Sequence, residues 1–74
     1  MDFYQRRYLT YRNEDRDMVD KIIEDHYRRN NIEGIWGCYP ATENGFETMK
    51  ITCYLEEDFI AIQNELKNNG VELR

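Results

Sequence analysis

The stretch IEGIWGCYPATENGFETMKITCYL, residues 32–55, decides how this chain folds. Asn44-Gly45 stands between two apolar runs, and Asn-Gly is the strongest short-range hairpin signal, because both central residues of a type I′ turn need positive φ. A two-residue loop at that point sets the register. Glu43 falls opposite Phe46, Cys38 opposite Ile51 and Trp36 opposite Cys53. One face then collects Trp36, Cys38, Met49, Ile51, Cys53 and Leu55, and reads as the core side. The other collects Ile35, Tyr39, Lys50, Thr52 and Tyr54. Cys38 and Cys53 become diagonal neighbours, roughly 7–8 Å apart, which is too far for an unstrained disulfide.

Upstream, residues 3–11 (FYQRRYLTY) read as a strand rich in Tyr. Its phase is open, since Leu9 and Tyr11 suit a core and Arg7 does not. Asn13 is a candidate N-cap, with Glu14, Asp15 and Asp17 in the first turn, where the helix dipole favours anions. Val19, Ile22, Ile23, His26 and Tyr27 follow at helical spacing to about Asn30. Asn31 suits the left-handed C′ position, with Ile32 folding back over Tyr27. Downstream, Glu56-Glu57-Asp58 opens a second helix whose buried stripe is Phe59, Ile62 and Leu66. Gly70 closes it with Val71 over Leu66, and residues 71–74 are long enough only for a short edge strand.

The resulting order, β-α-β-β-α-β, resembles that of ferredoxin-like domains in general, although no motif carries the resemblance. It implies one α+β domain over residues 1–74, with a four-stranded antiparallel sheet and both helices on one face. The other face of the sheet is then bare. That fold hosts too many functions to transfer one.

Seventy-four residues leave room for one domain. With 41% hydrophobic and 14% aromatic residues, the chain has enough apolar material for a core. Ten Lys plus Arg against 15 Asp plus Glu leave a formal charge of -5. A field of that sign repels nucleic-acid backbones and anionic membranes and attracts a basic protein. Two cysteines, no apolar leader and no membrane-length apolar run point to a reducing, cytoplasmic setting.

The residues suggest no catalytic, cofactor-binding or metal site. One histidine and two cysteines lack metal-ligand spacing, no serine is present, and the four glycines form no phosphate-binding fingerprint. His26, on the apolar stripe of its helix, reads as a boundary histidine. Acid–base work by Glu47 or Tyr54 has no convergent constellation behind it.

Two surfaces remain. The bare sheet face, carrying Tyr4, Tyr8, Ile35, Tyr39, Thr52 and Tyr54, reads as a partner or homodimer interface, most simply a twofold packed sheet to sheet. The acidic surface, Glu14, Asp15, Asp17, Asp20 and Glu24 with Glu56, Glu57 and Asp58, reads as a site for a basic protein partner. The functional expectation is a non-catalytic protein-interaction module. It would inhibit or regulate a nucleic-acid-binding protein by imitating DNA, as a phage or mobile-element inhibitor would. A small-molecule-sensing regulatory domain acting as a homodimer is the alternative.

Overall fold

The computed structural model describes residues 5–32, 36–38, 44–53 and 55–74. Strand β1 spans Gln5–Arg12, and a 3-10 turn, Asn13–Asp15, leads into helix α1, Arg16–Arg29. Strands β2, Trp36–Cys38, and β3, Phe46–Cys53, precede helix α2, Glu56–Asn68. The sheet order is β1-β3-β2, with both outer strands antiparallel to β3. β1 and β2 are therefore parallel, and α1 is the crossover between them.

The four-stranded ferredoxin-like sheet is not formed by the described residues. β2 contributes only three residues, so the extended ladder is the two-stranded β1–β3 pair. Residues 71–74 carry no strand. Their backbone reaches β1 once, where the Arg74 N–H donates to the Thr10 carbonyl at 2.9 Å. Side chains hold this segment instead. Val71 enters the core, Glu72 pairs with Arg12 at 2.9 Å, and the Arg74 guanidinium lies 4.1 Å from the Phe46 ring centroid. Val71 also closes α2, so the backbone after it does not run on into a ladder.

The hairpin register also differs from expectation. Trp36 pairs with Ile51 and Cys38 with Met49, two residues away from the two-residue-loop register. Asn44 and Gly45 do take positive φ, 56° and 84°. With Cys38 paired to Met49, five residues precede the Asn44-Gly45 turn and three follow it, which a two-residue loop does not allow; residues 39–43 lie outside the described residues. A slip of two preserves which side each residue faces, since side chains alternate with period two. The backbone positions of the two cysteines move further apart. Cys53 is four residues along β3 from the partner of Cys38, about 13 Å at strand rise, beyond disulfide reach.

Burial settles the phase of β1. Leu9, Tyr11, Met49, Ile51 and Cys53 from the sheet pack with Val19, Ile22, Ile23 and Tyr27 of α1, Ile62 and Leu66 of α2, and Val71. Every sheet contributor is odd-numbered, so both helices cover that side and the even positions face away. Arg7 shares the core side because it has an exit: its guanidinium lies over Phe59 at 5.9 Å and reaches Glu56 at 3.7 Å. Leu55 departs from expectation and is exposed, because it caps α2 rather than extending β3.

Both helix endings follow the pattern read from the sequence. Asn31 has φ 52°, with Ile32 N–H donating to the Tyr27 carbonyl at 2.9 Å. Gly70 has φ 83°, with Val71 N–H donating to the Leu66 carbonyl at 3.0 Å. These are Schellman closures, each folding an apolar residue back onto the core. The start of α1 differs. Asn13 begins the 3-10 turn, and the N-cap is Asp15, without a side-chain cap bond.

Candidate interaction surfaces

The acidic residues divide into compensated and uncompensated groups. Glu24 pairs with Arg28 at 2.6 Å, one helical turn on, and Glu56 faces Arg7. Asp58 accepts from or faces the His26 ring, Nε2 to Oδ1 3.2 Å, and is half-buried. Glu57 is exposed beside them. At the amino end of α1, Glu14 and Asp17 are exposed and Asp15 is half-buried. None of these three forms an ion pair within 4.0 Å among the described residues. Asp20 continues their line one turn further and is exposed.

Arg16, which opens α1 between these carboxylates, binds Glu47. Arg16 donates from Nε and Nη2 to the two carboxylate oxygens of Glu47, at 2.8 and 2.6 Å. Glu47 lies on the core side of β3 opposite Tyr11, with its side chain fully buried. Bonding from Arg16 is the main influence holding the Glu47 carboxyl below its ordinary range. Burial opposes it, and the Arg16 charge and a Tyr11 hydrogen bond assist. Glu47 is thus a structural anchor for the start of α1, and the acid–base role weighed for it has no free carboxylate behind it. Tyr54, the other candidate, lies outside the described residues.

The helix-free sheet face has a character that composition concealed. Across the β1–β3 ladder, Arg6 stands opposite Thr52, Tyr8 opposite Lys50, Thr10 opposite Thr48 and Arg12 opposite Phe46. Tyr8 is 53% exposed. The two threonine hydroxyls lie 3.0 Å apart. Phe46 is buried beneath Arg12 and Arg74, whose guanidinium carbons lie 5.1 and 4.1 Å from its centroid. No carboxylate occupies an open-side position of either strand. Of the residues expected on this face, Tyr8 is there and exposed, and Thr52 is there and half-buried. Tyr4, Ile35, Tyr39 and Tyr54 lie outside the described residues.

Lys50 was expected on this face from the strand alternation, whereas Arg6, Arg12 and Arg74 were not anticipated there. The period-two spacing of Arg6, Tyr8 and Arg12 carried the signal, but it needed the phase of β1 to be readable.

A third feature is a cleft of about 520 Å³ where α1 ends against the start of α2. His26 and Asp58 form its polar wall, with Ile32, Leu55 and Ala61 as apolar lining. Asn30 donates to the His26 carbonyl at 2.8 Å, and its amide also lies 3.5 Å from His26 Nδ1. The His26 ring is buried and joins the two helices, the boundary role read from its place on the stripe.

Among the described residues, no group of three His, Cys, Asp or Glu side chains is placed to hold a metal ion. No described helix is long and apolar enough to cross a membrane. No family model, no curated protein and no solved structure matches this chain.

Proposed function

We propose that this chain is a non-catalytic interaction domain that binds a basic protein partner, of the nucleic-acid-binding kind, through the amino end of α1. The observation carrying this reading is the carboxylate group Glu14, Asp15 and Asp17, none of which forms an ion pair among the described residues, at a place where Arg16 binds Glu47. Glu24, Glu56 and Asp58 have partners within the chain and contribute less to an external field. A cluster of carboxylates presents negative charge to a basic groove, as a run of phosphates does.

The test is affinity capture at low salt with elution by rising salt, comparing the native chain with the double variant Glu14→Lys, Asp17→Lys. A basic protein retained by the native chain, lost by the variant and displaced by duplex DNA supports the reading. Capture that ignores the charge reversal refutes it.

The cleft beside His26 favours a second reading, a small-molecule-sensing domain. Its volume falls within the range of small-ligand pockets. A metabolite that raises the melting temperature equally at low and high salt would support this reading over the first.

A further inference from the structure

We infer that the open face of the β1–β3 ladder is a docking surface for a second copy of this chain, which presents the acidic amino end of its α1. Molecules then associate head to tail. This goes beyond the basic-partner reading and does not depend on it.

The argument begins with segregation of charge. The net charge of -5 belongs to the whole chain, but the two layers differ in sign. The open side of the ladder carries Arg6, Arg12 and Lys50, with Arg74 crossing from the carboxyl-terminal segment. Among the described residues, Glu72 is bound to Arg12 at its rim. Within this field Tyr8 stands half exposed, an aromatic ring that gains by being covered. Glu14, Asp15 and Asp17 belong to the 3-10 turn and to α1, the helix packed on the opposite side of the sheet.

Geometry then selects the mode of association. A twofold pairing of open faces brings Arg6, Arg12 and Lys50 of one copy against the same cations of the other, and repulsion opposes it. Within one molecule the two charged surfaces lie on different layers, so they do not neutralise each other. The complement of the cationic face is therefore the acidic end of another copy. Such a contact is heterologous: each molecule uses one surface on each neighbour, and the assembly grows as a chain or closes as a ring. A nucleic acid matches the sign of the face but meets the strongest repulsion from the rest of the domain.

The experiment is sedimentation velocity over a concentration series, at low salt and at about 0.5 M salt. The variants are Arg6→Glu with Lys50→Glu, and Glu14→Lys with Asp17→Lys, each checked for native circular dichroism. The expected result is a mass that rises with concentration at low salt and returns to the monomer at high salt. Each double variant alone should remain monomeric. Mixed, they should associate again with the two variants alternating, because the intact acidic end of one meets the intact cationic face of the other and the two reversed surfaces are complementary as well.

Monomer at every concentration overturns the proposal, as does association that persists in either variant. Stronger association of the Arg6→Glu, Lys50→Glu variant also overturns it, in favour of a face-to-face dimer. Single-stranded oligo(dT) or a poly-glutamate peptide, each fluorescently labelled, serves as the remaining arm. Tight binding of either to the native monomer, without self-association, assigns the face to another polyanion and overturns the second-copy assignment.

Discussion

Arg16 shows how one side chain settles two matters at once. Its guanidinium saturates a carboxylate that would otherwise be buried alone, and bound there it makes no ion pair with Glu14, Asp15 or Asp17. Removing one partner of a buried pair costs more than the pair contributes, because a desolvated charge remains. Arg16→Ala should therefore lower stability by about 3 kcal/mol, the low end of that range, since Arg16 itself is half exposed. Urea unfolding measures this.

The Glu47 carboxyl is held below its ordinary value near 4.5 in the folded chain. Its contribution is whole above that value and is lost as pH falls through the lowered folded one. Glu47→Gln should remove this part of the acid destabilisation below about pH 4.5. A variant whose unfolding midpoint falls with acid as steeply as the native one would contradict the assignment.

Cys53 is the second case at this scale. Burial pushes its thiol up against the opposing effect of the Tyr27 hydroxyl, so little thiolate is available. Cys53 should stay unlabelled by a thiol reagent at about pH 8 until the chain is denatured, as peptide mass spectrometry would show. Rapid labelling of the native protein would place Cys53 elsewhere.

At the scale of elements, the helix endings carry much of the local order. Asn31 and Gly70 hold left-handed backbone so that Ile32 and Val71 return to the core. Gly70→Ala forces a Cβ into that conformation and should cost about 1 kcal/mol. Asn31→Ala should cost a similar amount, and Asn31→Gly only a few tenths. Urea midpoints for the three variants check the order, and equal midpoints for Asn31→Ala and Asn31→Gly would remove the left-handed requirement at residue 31.

The endings were legible in the sequence because each depends on a few neighbouring residues. The hairpin register was only half legible. Asn44-Gly45 adopts the foreseen backbone, but register depends on how many residues the loop absorbs, which a local turn signal does not specify.

For the whole molecule, arrangement of charge matters more than its sum. The sequence total implied an acidic surface repelling polyanions, whereas the fold gathers Arg6, Arg12, Lys50 and Arg74 on one layer. The salt and charge-reversal experiments on the basic partner and on self-association belong to this scale, because each separates one layer from the other.

The sequence by itself determined the helices, their closures, the strand alternation and the buried stripes, all set by spacing and by residues in direct succession. Only the tertiary structure decided the phase of β1, where Arg7 found Phe59 and Glu56 to lie against. It also decided that residues 71–74 attach by side chains instead of a fourth strand, and that Arg16 joins Glu47 across 31 positions. Each of these is a contact between distant parts of the chain. Its energy depends on what else has already packed there, and no local pattern of residues encodes that.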